Sequence, residues 1–116
     1  MEQTQKPESR AELKYLRMSP RKVRLVVDQV RGMPVNQALA VLRFSTKRAA
    51  VPVAKTIKSA AAAAEETLGL MPNELVIAKI YADEGPTLKR AKFAARGRYK
   101  PIRKRTSHVT VVVTER

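Results

Sequence analysis

The residues of this chain best suited to chemistry are cations. From Leu88 to Arg105 it carries Lys89, Arg90, Lys92, Arg96, Arg98, Lys100, Arg103, Lys104 and Arg105 with no acid among them, nine charges in eighteen positions. Such a run performs no acid–base or nucleophilic step. Its chemistry is the neutralisation of phosphate, which releases condensed counterions and makes affinity fall steeply with salt. β-Forming sequence flanks the run on both sides, which favours a hairpin over a solvated tail. If strands 75 to 91 and 97 to 113 pair in register, the turn falls near Ala94 to Gly97, where Gly97 supplies a positive φ. Beyond Asp83 such a ribbon extends about ten residues, or roughly 33 Å at about 3.3 Å per residue. A two-stranded ribbon alone is marginal in water, and this one repels itself, so a polyanion must contribute to its order. Leu88, Phe93, Tyr99 and Ile102 are candidates for contacts to bases or riboses.

A second cationic cluster sits where helices are predicted to begin. Arg21, Lys22 and Arg24 follow Ser19 and Pro20, while Lys47 and Arg48 follow Ser45 and Thr46. Positive charge in a first helical turn opposes the macrodipole by about 0.3–1 kcal/mol per residue. That arrangement is tolerated where an anion meets the free amides and the cations together.

Other reactive types are sparse. His108 is the single histidine and no cysteine is present, so disulfides and thiolate metal sites are excluded and no metal or cofactor is expected. A hydrogen-bonded structural or RNA-contacting role suits His108 better than catalysis. Glu65 and Glu66 are adjacent on a predicted helix, point in different directions, and so form no acid–base pair. Gly85 and Pro86 lack the Gly-rich run and lysine of a phosphate loop, and a bend or bulge at the hairpin base accounts for them better. No catalytic residue is assigned and an enzyme is not expected.

The elements that must position these charges can be read from periodicity. Ala11, Leu13 and Tyr15 alternate with Glu12, Lys14 and Leu16, predicting a short edge strand. Ser19 and Pro20 open a helix, the serine hydroxyl capping a free amide, with Val23, Val26, Val27 and Val30 at helical spacing until Gly32. Pro34 opens a second helix with Ala38, Leu39 and Leu42 inward, ending near Phe44. A third helix, capped by Ser45 or Thr46, carries Ala50, Val53, Ala54, Ile57, Ala60, Ala61, Ala64 and Leu68 as far as Gly69. Pro52 then falls beyond its first turn, which predicts a kink near Arg48. From Leu75 the period becomes two, with Val76, Ala78, Ile80 and Ala82 on one side and Leu75, Ile77, Lys79 and Tyr81 on the other. Val109 to Thr114 is β-branched throughout and must be a strand.

Composition agrees with this inventory. The chain has 116 residues, 44% of them hydrophobic, enough for one modest core and too few for two. Its 24 Lys and Arg against 10 Asp and Glu give +14 and a pI near 10.8, which makes nucleic acid the first partner to consider. Residues 1–10 match neither a secretory signal nor a transit peptide, and no apolar run is long enough to cross a bilayer, so a cytoplasmic protein is expected.

Three stretches carry a resemblance. YLRMSPRKVRLVV from Tyr15 to Val27, DEGPTLKRA from Asp83 to Ala91 and RKRTSHVTVVV from Arg103 to Val113 together resemble the bacterial L-twenty-two family of large-subunit ribosomal proteins. The resemblance spans the chain from about Ala11 onward. It implies an α/β fold of the α+β type, three helices on a small three-stranded antiparallel sheet, with a long protruding basic β-hairpin. It also implies contacts to several domains of large-subunit ribosomal RNA, help in early assembly, and a hairpin tip near the constriction of the peptide exit tunnel. The tip would run over Lys89, Arg90, Ala91, Lys92, Phe93, Ala94, Ala95, Arg96, Gly97 and Arg98. Ser19 and Pro20 with Arg21 and Lys22 would carry the RNA contact of the body; Arg17, Lys47 and Arg48 are expected to join them, and the hairpin cations Lys89, Arg90, Lys92, Arg96, Arg98, Lys100, Arg103, Lys104 and Arg105 to supply the remainder. The chain departs from the family at Ala94, where a basic residue is usual, at Ala63, where many members have asparagine, and at Pro52.

The expected organisation is a single domain: residues 1–10 a flexible arm, 11–82 and 106–116 the body, 83–105 the hairpin. Expected partners are large-subunit ribosomal RNA, neighbouring ribosomal proteins and the nascent peptide, with no membrane and no homo-oligomer. The alternative is a stand-alone basic nucleic-acid-binding regulator, although no DNA-reading helix or zipper is evident. A membrane-active protein is disfavoured by the alanine-rich third helix. Deleting Lys89 to Arg98 is expected to leave the circular dichroism of the body intact; loss of the whole fold would contradict the division into body and hairpin.

Overall fold

In the computed structural model residues 7–86, 88–93 and 99–116 are described. Strand β1 (Glu8–Leu16) leads to helices α1 (Pro20–Val30), α2 (Val35–Arg43) and α3 (Ala50–Leu68). A 3-10 turn at Pro72–Glu74 opens β2 (Leu75–Glu84), followed by β3 (Leu88–Phe93), β4 (Tyr99–Lys104) and β5 (Ser107–Glu115). β5 lies between β1 and β2 and antiparallel to both, while β3 and β4 form a two-stranded sheet of their own. This is the α+β fold implied by the sequence, three helices and a three-stranded antiparallel sheet with a separate ribbon. The radius of gyration of 17.6 Å exceeds the roughly 13 Å of a compact chain of about this length.

One core holds the body together. Val23, Val26, Val27 and Val30 of α1 are fully buried, and they meet Val35 and Ala38 of α2, Val53, Ile57, Ala60 and Ala64 of α3, and Val109, Val111 and Val113 of β5. Valine is a mediocre helix former, but full burial of each such side chain contributes about 1.5–3 kcal/mol and outweighs the propensity. The alanines of α3 let a 19-residue helix lie close to the sheet. Buried Thr56 satisfies its hydroxyl by donating to the Pro52 carbonyl at 2.9 Å. Gly32 and Gly69 take left-handed φ of 79° and 67° just beyond α1 and α3. After Gly32 the chain is stitched to β2, its amide donating to the Ile77 carbonyl while the Ile77 amide donates to the Met33 carbonyl.

Several expectations are corrected. β1 begins at Glu8, not Ala11, because Glu8, Ser9 and Arg10 pair with Thr114, Val113 and Val112. The expected flexible arm therefore loses residues 8–10, and its residues 1–6 lie outside the described residues. Tyr15 does not continue the inward face of Ala11 and Leu13: the register shifts between Leu13 and Leu16, Tyr15 takes φ 60° and is exposed, and Leu16 packs on the core instead. β2 carries a similar irregularity between Ile77 and Lys79. The extra residue, Ala78, reverses the alternation, so Leu75 and Ile77 share the buried face with Ile80 and Ala82.

The register of the long ribbon is corrected as well. The expected alignment sets Ala91 against Gly97, whereas Ala91 pairs with Pro101. Three offsets accumulate along the strands. Leu75 meets Glu115 in place of Val113, one extra residue enters at Ala78, and another enters between the pairs Glu84↔Ser107 and Leu88↔Lys104. The turn expected at Ala94 to Gly97 lies outside the described residues. The body sheet persists to Glu84 and Ser107, and the break falls at Gly85–Pro86 opposite Thr106. There the Gly85 amide donates to the Thr106 carbonyl at 2.9 Å and the Thr106 hydroxyl to the Pro86 carbonyl at 2.6 Å. A Cβ on Gly85 would stand 2.5 Å from the Thr106 hydroxyl, so the close approach requires glycine. This is the bend that the sequence places at the hairpin base.

Two helix starts also differ. Ser19 makes no side-chain cap; its carbonyl instead accepts the amides of Lys22 and Val23 at 3.1 and 3.2 Å. α3 begins at Ala50, not near Ser45, so Pro52 sits in the first turn, where no amide bond is lost, and no helix exists at Arg48 to be kinked. Truncating Ile57 to alanine at the centre of this core is expected to cost about 2–5 kcal/mol in urea unfolding, whereas exposed Val51→Ala should stay within about 0.5 kcal/mol.

Candidate nucleic-acid interface

The turn between β1 and α1, the segment ahead of α3 and the base of the hairpin converge on one open cleft of about 720 Å³. Arg17, Met18 and Ser19 come from the first, Lys22 and Leu25 from α1, Lys47, Arg48 and Ala49 from the second, and Arg105 from the third. Five cations and one hydroxyl face the same space, and among the described residues no acid lines it.

Short polar contacts hold the β1–α1 turn, the hairpin base and the 45–50 segment in place. The buried Ser107 hydroxyl donates to the Met18 carbonyl at 2.6 Å, tying β5 to the β1–α1 turn. Thr106, next to Arg105, is buried and held by Pro86. The Lys47 amide donates to the Ser45 hydroxyl at 3.2 Å, and the Ala50 amide closes on the Lys47 carbonyl at 3.1 Å. Ser45 therefore shapes the loop that presents Lys47 and Arg48 and caps no helix there. The cationic side chains themselves remain exposed at the surface.

Among the described residues the ion pairs are Arg10 with Glu12 and Arg31 with Asp28, neither of which involves the cleft. Glu65 and Glu66 are exposed on α3, as expected. No group of three metal-ligating side chains forms among the described residues, and no helix among them is long and apolar enough to cross a membrane.

The structure thus gathers Arg17, Ser19, Lys22, Lys47 and Arg48 from the expected body set and adds Arg105 from the hairpin set. Arg21 is exposed on α1 but does not line the cleft. Arg24 turns away from it: its Nε donates to the Ala82 carbonyl at 3.1 Å, pinning α1 to β2, as Arg31 does at Ile80. Lys47 and Arg48 reach the cleft from a turn, so the expectation that they occupy first helical turns is corrected, while α1 still directs its N-terminus there through Ser19 and Lys22.

In the hairpin, Lys89 is registered opposite Arg103 and Lys92 opposite Lys100. Like charges at directly opposed ladder positions destabilise a ribbon, so its charges call for an external counter-ion. Of the expected tip, Lys89, Arg90, Ala91, Lys92 and Phe93 lie in β3, and Phe93 pairs with Tyr99; Ala94 to Arg98 lie outside the described residues.

Sequence reasoning missed two features. Leu25 is more than half exposed beside Lys22, and its only signal is an apolar residue off the valine stripe. The second is the contact of His108 with Tyr15, whose amide donates to Nδ1 at 3.1 Å while the rings meet edge to face at 5.0 Å. It depends on the Tyr15 bulge, which no periodicity announces. His108 is accordingly a structural acceptor at the hairpin base.

A small α+β body with a cationic cleft, and a separate basic ribbon beside it, define the class: a basic α+β protein whose cations from three segments line one surface. The comparisons with known proteins make that class specific. The chain belongs to the family described as ribosomal protein L22p/L17e, whose model matches residues 11–114, and this family is structural and non-enzymatic. It is 57% identical over 109 residues to the large ribosomal subunit protein uL22 of Clostridium novyi, covering 94% of this chain and 98% of that one. It is 57% identical over 106 residues to the protein of the same name from Magnetococcus marinus (91% and 94%), and 52% identical over 109 residues to that of Desulfitobacterium hafniense (94% and 96%).

Arg48→Ala and Arg105→Ala are each expected to lower the slope of log affinity for RNA against log salt by about one. Anisotropy titrations at several salt concentrations measure this, with unchanged circular dichroism as the control for folding.

Proposed function

We propose that the chain is a structural constituent of the large ribosomal subunit that binds large-subunit ribosomal RNA, assists subunit assembly and lines the peptide exit tunnel with its hairpin. The observation that carries this reading is the cleft in which Arg17, Lys22, Lys47, Arg48 and Arg105 meet the Ser19 hydroxyl with no acid among the described residues that line it. Phosphate groups of folded RNA suit that space: the arginines offer paired donors, the lysines point charges, and the serine a neutral hydrogen bond. The relatives' name, large ribosomal subunit protein, supports taking ribosomal RNA as the polyanion.

The hairpin extends the same logic. Its opposed like charges are relieved where RNA phosphates lie along both edges, so the ribbon gains its order within the particle. From Lys89 to Arg98 it would face the tunnel and the nascent peptide. Neighbouring ribosomal proteins would meet the remaining surface of the body, and the protein would act as one copy in the cytoplasmic ribosome. By contacting RNA at both the body and the hairpin, it would hold separate RNA segments together early in assembly.

Sedimentation of the tagged protein from cell lysate tests the reading, with co-migration with large subunits expected. Footprinting on total RNA should give discrete protection of large-subunit RNA; uniform weak protection of all RNA would instead favour a stand-alone nucleic-acid-binding regulator.

A further inference from the structure

A second groove lies on the other side of the 45–49 connection, between the end of α2 and the start of α3. Its most exposed apolar member is Phe44, an aromatic 82% accessible to solvent just past the last turn of α2. Val51, also exposed, and the half-buried Leu39 and Ala54 continue the apolar floor. Arg43, Lys55 and Lys58 surround it, and among the described residues no acid lines the groove.

An aromatic ring among cations is costly to leave in water. A protein partner that buried Phe44 would have to supply acids for three cations around a small apolar floor. A nucleotide presents a flat π-face and a phosphate in the same unit, and stacking on an aromatic platform beside basic side chains is how single strands are held. Charge complementarity therefore selects the nucleotide. The cleft ends on Lys47, Arg48 and Ala49 and the groove begins on Ser45, Ala50 and Val51, so one RNA strand can cross the connection and engage both.

We infer that the α2–α3 groove is a binding site for an unpaired RNA nucleotide, its base stacked on Phe44 and its flanking phosphates met by Arg43, Lys55 and Lys58. This rests on the reading of the protein as an RNA binder and adds to it a base-stacking site distinct from the phosphate-binding cleft.

The test uses the full chain, a single-stranded RNA of about ten nucleotides, and the same backbone carrying abasic sites. Phe44→Ala is expected to weaken the base-bearing RNA about tenfold while changing abasic binding less than about twofold, and Phe44→Tyr should retain the stacking. Phe44 lies outside the core, so its truncation leaves the fold in place. Equal losses on both RNAs, or no loss on either, overturns the inference. So does a Phe44→Ala protein that keeps its RNA affinity but loses a neighbouring ribosomal protein from reconstituted particles, which would assign the groove to a protein contact. Failure of the cleft is distinguishable: if Arg48→Ala and Arg105→Ala leave the salt slope unchanged while Phe44→Ala still discriminates the two RNAs, the groove stands and the cleft does not.

Discussion

Arg17, Lys22, Lys47, Arg48 and Arg105 repel one another across a cleft that no carboxylate of the described residues lines, and the fold must hold them there. In water each pair of such charges at contact distance costs on the order of 1 kcal/mol, less with salt screening. That is small beside the burial of a valine-rich core. The body can therefore carry uncompensated charge because its cohesion comes from elsewhere: α1 contributes four fully buried valines, and β5 is flanked by partners on both edges. In the hairpin, β3 and β4 pair with each other and their register sets lysine opposite lysine.

Stability and recognition are thus separated along the chain. Polar groups that strengthen the body are directed inward to backbone carbonyls: Ser107 to Met18, Thr106 to Pro86, Thr56 to Pro52, Arg24 to Ala82. The cations that line the cleft and the groove instead stay outward, with Leu25 and Phe44 beside them. Two cations of α1 show the division. Arg24 serves the fold through β2, whereas Lys22, two residues earlier and on another face, serves the cleft.

Helix existence, the valine stripe of α1, the alanine face of α3 and the β-branched final strand were legible because each reports a period that burial enforces. The helical ends were less so. Ser45 and Thr46 look like caps for α3, yet the helix waits for Ala50, and Ser45 shapes the preceding loop through the Lys47 amide. Single extra residues at Ala78 and near Tyr15 were invisible, because an inserted residue changes facing without changing composition, and the insertion at Ala78 moved the hairpin register with it. The body cations were legible as a set, but their meeting with Arg105 was not, since it needs the three-dimensional return of β5 beside the β1–α1 turn.

The clamp at Gly85, Pro86 and Thr106 has a mechanical meaning. A six-residue strand spans about 20 Å, so a swing of some ten degrees at its root would carry the far end of the ribbon through about 3 Å. Leverage of this kind turns a small error at one glycine into a large error at a distance. With Thr106 buried, its hydroxyl bonded to the Pro86 carbonyl and a Cβ on Gly85 only 2.5 Å from that hydroxyl, the body side of the joint is closely packed, so that small changes there have long reach.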